Sequence, residues 1–153
     1  MKYLSTRNNR LEESFINILF QGLSKEGGLF LPNQWPSISI EDIKNKTYQE
    51  IAFLVMQPYL AEELTDDQLV DLIKETFINF RHEKIAPLFN IDNNKYIMEL
   101  FHGPTFAFKD YALQFLGNLF SEILKFNNQN ITILGATSGD TGSAAIEAFK
   151  GKT

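Results

Sequence analysis

The N-terminal segment of the chain repeats its apolar residues with the period of a helix. These residues fall at positions i, i+4, i+7 and i+8, a spacing that places them on one helical face: Leu11, Phe15, Ile18 and Leu19. The pattern predicts an amphipathic helix from Arg10 to about Gly22, where the glycine is suited to end it.

Three further elements are predicted before residue 62. The stretch EGGLFLP (26–32) indicates a glycine turn followed by a short strand that ends at a proline. PSISIEDIK and TYQEIAFLVMQPYL each suggest a helix. The second of these helices is expected to be interrupted near Pro58, because proline has no backbone N–H to donate.

A capping box predicts the start of the next helix. Thr65 and Gln68 have the spacing in which each side chain bonds the other residue's backbone N–H. Apolar residues with helical spacing follow and predict its buried face: Leu69, Leu72, Ile73, Phe77 and Phe80. Up to about Glu83 the chain is therefore predicted to be mostly helical.

Beyond Glu83 the pattern predicts strands and helices in alternation. APLFNIDNNKYIMEL indicates a β-hairpin around an Asp-Asn-Asn turn, with its second strand from Lys95 to Leu100. A helix from about Asp110 to Phe126, a strand from about Asn130 to Leu134 and a last helix in SAAIEAF follow. This order is typical of a βαβ unit, whose two strands are parallel.

The predicted fold class is α/β with two domains. Residues 1–85 would form a mostly helical N-terminal domain, and residues 86–153 the first βαβα part of a second domain. In an open sheet of parallel strands, the loops after the strands lie at one edge, where ligands bind. Lys109 and the residues TSGD (137–140) of the later loop GATSGDTG are therefore expected to face one cleft.

Composition excludes several classes of function. The 153 residues carry 14 basic and 19 acidic side chains, a net charge of -5, without the basic patch that nucleic-acid binding requires. The chain has no cysteine, so disulfides, thiolate metal sites and thiol nucleophiles are excluded. Its start has neither a signal sequence nor a membrane span, and we expect a cytoplasmic protein. Phe makes up 14 residues, which predicts a large core or a face awaiting a partner.

Lys109 is the first candidate for chemistry. It follows a Gly-Pro corner and two phenylalanines in ELFHGPTFAFKDY, at the predicted start of a helix. Lysines at such positions are most often solvated surface charges. Here the helix N-terminus and the neighbours Phe106 and Phe108 disfavour a protonated amine, which improves the amine as a nucleophile toward a carbonyl. His102 is a weaker candidate, since its setting is more typical of a hydrogen-bonded structural histidine.

The loop GATSGDTG is the second candidate. Its glycines expose backbone N–H groups beside hydroxyls at a helix N-terminus, an arrangement that binds anions; the polar side chains are Thr137, Ser138, Asp140 and Thr141. The loop lacks both the Lys-Ser/Thr pair of a P-loop and the dinucleotide spacing. An ordinary strand-to-helix turn, capped by Ser143 or Thr141, is the alternative. A lysine suited to Schiff-base formation opposite an anion site is what a pyridoxal phosphate (PLP) enzyme needs.

Two long motifs carry a family resemblance. ELFHGPTFAFKD followed by ILGATSGDTGSAA resembles threonine synthase, a family of fold-type II PLP enzymes. YLSTRN and EGGLFLP are similar to the opening motifs of its N-terminal domain, so the resemblance covers nearly the whole chain. One departure is Asn8, where the family commonly has glycine; this affects a turn rather than the chemistry.

The resemblance implies a role for each candidate. Lys109 would bind PLP as a Schiff base and then act as the base that moves protons at the substrate carbons. Thr137, Ser138, Gly139 and Thr141 would bind the substrate carboxylate, and Asp140 would approach the ring oxygen of the cofactor. Related enzymes have asparagine at the position of Asp140, which leaves its contact open. The family reaction converts O-phospho-L-homoserine and water to L-threonine and phosphate.

The resemblance also implies that the sequence is part of a longer chain. The family's cofactor-phosphate loop and the residue facing its pyridine nitrogen lie beyond FKGKT, so we expect the 153 residues alone to be inactive. Self-association through the unfinished sheet edge is expected as well. Two alternatives stay open: a parent enzyme with another fold-type II replacement or elimination reaction, and a non-catalytic α/β fragment that binds a partner.

Overall fold

The computed structural model describes residues 1–127 and 130–152. The elements in these ranges confirm a mixed α/β fold: β1 (Tyr3–Ser5), β2 (Asn8–Glu13), α1 (Phe15–Gln21), β3 (Phe30–Pro32), α2 (Ile40–Ile43), α3 (Tyr48–Leu60), α4 (Asp66–Phe77), β4 (Leu88–Asp92), β5 (Lys95–Met98), α5 (Asp110–Asn127) and α6 (Asp140–Phe149). No helix in this described part is long and apolar enough to cross a bilayer.

The chain divides into two compact units. The first contains Met1–Lys46 and Glu50–Val70, and the second contains Thr47–Gln49 and the chain from Asp71 onward. The domain division predicted at residues 85 and 86 stays a prediction.

The first unit contains a three-stranded antiparallel sheet in the order β2-β1-β3. The predicted helix from Arg10 is wrong in its start, because residues up to Glu13 pair with β1. Helix α1 begins only after Ser14, whose Oγ accepts a hydrogen bond from the Asn17 N–H at 3.3 Å. Its end at Gly22, which has a φ of 68°, is confirmed.

The sequence predicted an interruption near the end of α3 and a capping box at the start of α4. Helix α3 continues through Pro58 to Leu60, so the predicted interruption is wrong. Because Pro58 lies near the end of the helix, it removes one hydrogen bond and leaves the helix intact. The capping box of α4 is confirmed, since Thr65 N donates to Gln68 Oε1 at 2.9 Å. Phe80 lies beyond the end of α4, although its ring packs edge to face on Phe77.

The second unit contains the predicted hairpin, in which β4 pairs antiparallel with β5. The predicted strand from Asn130 to Leu134 is not formed, and among the described residues both sheets are antiparallel. A strand exists only through hydrogen bonds to a neighbouring strand. Within the described ranges this segment pairs with none, and its Leu134 side chain is 96% exposed.

Helices α5 and α6 pack against each other in the second unit. Their approach is close: a Cβ on Gly117 would lie 2.4 Å from the Ala148 carbonyl oxygen. Ala144 and Ala148 of α6 are fully buried. Since α5 begins at Asp110 as predicted and α6 at Asp140, the packing brings together the segments that contain both candidate motifs.

Candidate functional site

The loop before α5 is anchored at its start by Arg81. The guanidinium donates to the carbonyl oxygens of Gly103 and Pro104, the second at 3.0 Å. The Arg81 backbone N–H donates to the His102 carbonyl at 2.8 Å. The His102 Nε2 lies 2.7 Å from Glu99 Oε2, as expected of a hydrogen-bonded histidine. These bonds fix the backbone that leads to Lys109.

The end of the loop is fixed by Asp110, the first residue of α5. Its carboxylate is fully buried. Oδ2 accepts a hydrogen bond from the Thr105 N–H at 2.8 Å, and Oδ1 accepts one from the Thr105 hydroxyl at 2.8 Å. Gly103 packs directly on this carboxylate, since a Cβ there would lie 2.4 Å from Oδ2.

Lys109 immediately precedes α5 and is partly buried. Its Nζ lies 4.2 Å from the centroid of the Phe108 ring, a cation–π contact. Within the described ranges the amine forms no ion pair. Phe106, which was expected to surround the amine, instead places its ring against the Arg81 guanidinium at 4.1 Å. The amine is therefore not committed to a carboxylate.

Lys109 lines an open cleft of about 520 Å³. The other lining residues are mostly apolar or aromatic: Tyr48, Leu100, Phe108, Tyr111, Ala112, Leu113 and Thr141. Such a mixture of apolar walls and few polar groups is typical of small-molecule sites. Lys109 supplies the cationic group of this cleft.

Two tyrosines in the cleft wall are held firmly. The Tyr111 hydroxyl donates to the Ile85 carbonyl at 2.6 Å, and the ring packs on Tyr48 and Phe80. Burial is the main cause that raises the pKa of Tyr111 to about 12, and it also raises the pKa of Tyr48. Both phenols therefore stay neutral at physiological pH.

The second loop leads into the N-terminus of α6. Gly139 is the N-cap residue, without a side-chain capping bond, and its φ of 146° suits a glycine. The predicted cap by Ser143 or Thr141 is therefore wrong. Instead, Thr137 Oγ1 accepts hydrogen bonds from the N–H groups of Gly139 and Gly142, at 3.2 and 3.0 Å. Among the residues that the structure describes, the hydroxyl hydrogen of Thr137 has no acceptor.

The structure brings part of the predicted site together. Thr141 lines the same cleft as Lys109. Thr137, Ser138 and Asp140 are exposed in the loop at the beginning of α6. The lining of this cleft includes Lys109 and Thr141 but none of residues 137–140, which were expected to share it. Packed helices rather than adjacent parallel strands bring the two segments together.

Three anchoring residues were not predicted from the sequence: Arg81, Thr105 and Asp110. Thr105 and Asp110 lie five residues apart, and Arg81 lies more than twenty residues before its acceptors. The sequence signal for an anchor was the Asp110 carboxylate next to Lys109. An acidic residue at a helix start is equally typical of a solvated charge, so the signal does not distinguish the two.

The geometry defines a class of site. A lysine amine that forms no ion pair with the described residues shares an apolar cleft with the first turn of a second helix, whose N–H groups favour anions. This arrangement suits an anionic compound with a carbonyl group that an amine can attack.

Comparison with known proteins names the family. A family profile described as "Threonine synthase N terminus" matches residues 2–77. Threonine synthase from Pseudomonas aeruginosa is 43% identical over 98% of this chain and 33% of its own, and that from Schizosaccharomyces pombe is 46% identical over 99% and 32%. A crystal structure of PLP-bound threonine synthase from Brucella melitensis aligns with a TM-score of 0.95 at 41% identity, over 100% of this chain and 34% of its own. The chain belongs to the threonine synthase family and corresponds to the N-terminal third of these relatives.

Proposed function

We propose that this chain supplies the N-terminal third of a PLP-dependent threonine synthase, a lyase of amino-acid biosynthesis, and carries its cofactor lysine, Lys109. The complete enzyme would convert O-phospho-L-homoserine and water to L-threonine and phosphate in the cytoplasm. Residues 1–85 would be its N-terminal domain and residues 86–153 the start of its catalytic domain. The observation that carries the proposal is the Lys109 amine, which forms no ion pair in the described part of the chain and shares a cleft with Thr141.

The residues of the cleft fit PLP. The aldehyde of PLP requires an amine that is accessible and not held by a carboxylate, as the Lys109 amine is in the described structure. The aromatic and aliphatic walls suit a flat heteroaromatic ring, which gains from apolar contact. Lys109 would hold the cofactor through its amine, and Asp140 at the start of α6 would approach the ring oxygen.

Each residue would have a distinct task. PLP, when bound, supplies an electron sink for negative charge that develops at the substrate carbons. Lys109, once released from the cofactor, would take and return protons at those carbons. The firmly held rings of Tyr48 and Tyr111 would keep water from that side of the cleft.

The loop before α6 would bind the substrate carboxylate. Thr141 lies in the first turn of α6, where its N–H has no intrahelical acceptor and can donate to an anion. Gly139, whose own N–H donates to Thr137, would shape the backbone around the bound carboxylate. Thr137 would add its free hydroxyl hydrogen, and Ser138 would add a hydroxyl that makes no hydrogen bond within the described ranges.

Labelling with PLP tests the assignment of Lys109. The 153-residue chain is incubated with PLP, reduced with borohydride and mapped by peptide mass spectrometry. We expect the adduct mainly on Lys109, with Lys109→Arg losing it and Lys95→Arg, at an exposed hairpin position, keeping it. An adduct spread evenly over the lysines, or found mainly on another lysine, contradicts the assignment.

A chimaera tests the reaction. In it, residues 1–153 are followed by the part of the Pseudomonas aeruginosa synthase that the match does not cover. With PLP we expect phosphate release from O-phospho-L-homoserine, much slower release from the one-methylene-shorter O-phospho-L-serine, and none from a Lys109→Ala chimaera. Preference for O-phospho-L-serine would favour another elimination reaction, and an inactive but folded, PLP-binding chimaera would contradict the proposed reaction.

A further inference from the structure

We propose that Asp110 and Thr105 are positioning residues that fix the Lys109 amine in the cleft. The inference rests on the proposed function, since it concerns the lysine that would hold PLP. The pair is called the 105–110 clamp below. It consists of the Asp110 carboxylate and the two groups of Thr105 that donate to it.

The clamp is a built feature rather than a solvated helix-start charge. The Asp110 side chain is fully buried, and among the described residues it has no ion-pair partner. A buried carboxylate is costly unless hydrogen bonds compensate its lost hydration. Thr105 supplies two such bonds, at 2.8 Å each, and the N-terminus of α5 adds favourable partial charge.

The geometry connects the clamp to Lys109. The two hydrogen bonds close residues 105–110 into a compact ring of backbone, and Lys109 is the last residue within it. Inside this ring Phe106 has a φ of 64°, an unfavourable conformation for a bulky side chain. A strained backbone persists only where its surroundings hold it. The clamp holds this segment together with the Phe106 N–H, which donates to the Gly103 carbonyl at 3.2 Å, and the Arg81 guanidinium, which packs on the Phe106 ring.

A second anchor acts on a different part of the loop. Arg81 holds the backbone of His102, Gly103 and Pro104, before the clamped segment begins. Loss of the clamp would therefore leave the loop attached at its start, and the Arg81 guanidinium on the Phe106 ring, but would remove the side-chain bonds that hold the end carrying Lys109. The expected result is a displaced amine in a folded chain.

Four variants of the 153-residue chain separate geometry from charge. Asp110→Asn can keep both bonds, because its Oδ1 accepts from the Thr105 N–H while its Nδ2 donates to the Thr105 hydroxyl. Asp110→Ala removes both bonds. Thr105→Ser keeps the hydroxyl bond, and Thr105→Val removes it at almost equal volume. Circular dichroism establishes that each variant is folded.

The first readout needs no cofactor. The Nζ of Lys109 lies over the Phe108 ring, so its ε-methylene signals in a ¹H–¹³C spectrum should be displaced upfield by the ring current. We expect this displacement in wild type, Asp110→Asn and Thr105→Ser, and its loss in Asp110→Ala and Thr105→Val. If Asp110→Ala and Thr105→Val, called the loss variants below, are folded and keep the upfield displacement, the proposal is overturned. If Asp110→Ala does not fold, Thr105→Val decides alone.

The second readout is the rate of reductive labelling of Lys109 by PLP, relative to Lys95 in the same sample. Because misplacement of a reactive group by about 1 Å can cost about 100-fold in rate, we expect a fall of about tenfold or more in the two loss variants. A relative labelling rate near the wild-type value in Asp110→Asn and Thr105→Ser would show that the hydrogen bonds of the clamp, not the carboxylate charge, place the Lys109 amine. A relative rate that stays at the wild-type value in both loss variants would overturn the proposal.

The two readouts separate the possible failures. Wild-type chain that shows the ring-current displacement but no label on Lys109 would contradict the proposed function, while the variants still decide the role of the clamp. Wild-type chain labelled on Lys109, with variants indistinguishable from it in both readouts, would contradict the clamp and leave the proposed function intact.

Discussion

At the scale of residues, close contacts around Asp110 decide which side chains the loop accepts. Gly103 is needed for space rather than for backbone freedom, because its φ is not positive and a Cβ would meet the Asp110 carboxylate. Gly135 is a useful contrast, since beyond its two chain neighbours no atom of the described residues lies within 4 Å of the position of its Cβ. The two glycines should therefore respond differently to the same substitution.

We expect Gly103→Ala to lower the free energy of unfolding by about 1 to 3 kcal/mol, the usual cost of an added group in a packed site. The matched control Gly135→Ala should change it by less than about 0.5 kcal/mol. Urea denaturation measures both. Equal stability of the Gly103→Ala variant and wild type would show that the carboxylate moves aside without cost.

Tyr111 gives a prediction for alkaline pH. Burial raises its pKa from 10.0 to about 12, so the folded chain favours the protonated phenol. Its contribution to stability is present in full below about pH 10 and is lost as the pH rises through about 12. The difference in unfolding free energy between wild type and Tyr111→Phe should shrink across this window. A difference that stays constant from pH 10 to 12 would contradict the raised pKa.

At the scale of elements, the start of α6 combines structure and binding in one loop. Thr137 holds the loop through the N–H groups of Gly139 and Gly142, whereas the Ser138 hydroxyl makes no bond within the described part of the chain. Substitutions at the two positions should therefore have distinguishable effects. Ser138 should matter for binding alone, and Thr137 for both binding and stability.

In the chimaera, we expect Ser138→Ala to weaken substrate binding by about 1 to 3 kcal/mol, the value of a hydrogen bond to a charged group, with unchanged thermal stability. Thr137→Ala should weaken binding and also lower the melting temperature, while Thr137→Ser should keep both properties. Steady-state kinetics and thermal denaturation provide the measurements. Unchanged kinetics in both alanine variants would move the carboxylate site elsewhere.

At the scale of the whole molecule, one group of exposed apolar residues lies in the hairpin and after α5. Its members are Leu88, Phe89, Ile91, Tyr96, Ile97, Met98, Ile131, Ile133 and Leu134. Each strand of the two-stranded hairpin also has one edge without a partner strand among the described residues. Exposed edges with apolar side chains favour pairing with another chain.

We propose that the 153-residue chain self-associates with a second copy through this hairpin. Light scattering should give a mass that rises with concentration. Phe89 and Ile97 face each other across the hairpin, so Phe89→Glu with Ile97→Lys would form a paired, polar surface and should reduce association. The control Trp35→Lys, at an exposed apolar residue of the first unit, should leave association unchanged. A wild-type mass independent of concentration would contradict the proposal.

The activity of the 153-residue chain is also a property of the whole molecule. The chain spans about a third of the length of the synthases it matches. We therefore expect no phosphate release from O-phospho-L-homoserine by the 153-residue chain with added PLP, under conditions in which the chimaera is active. Turnover above a PLP-only control would show that the 153 residues suffice.

The sequence by itself determined the features that depend on local interactions. The capping box at Thr65 and Gln68, the helix that begins at Asp110 and the hairpin around the Asp-Asn-Asn turn each need only neighbouring residues, and each is confirmed. The family was also accessible, because its two motifs are long and occur in order. Lys109 was predicted as the cofactor lysine from its place at a helix start and in the first of these motifs, and this role stays a prediction.

The tertiary structure decided what depends on residues distant in the chain. Residues 10–13 have helical spacing yet belong to a strand, because pairing with β1 outweighs a local preference. Asn130 to Leu134 have strand composition yet form no strand, because among the described residues no neighbouring strand bonds to them. The setting of Lys109 likewise depends on Arg81, more than twenty residues earlier, and on the fully buried Asp110. A local pattern records preference, whereas burial and hydrogen-bond partners arise only when the chain has folded.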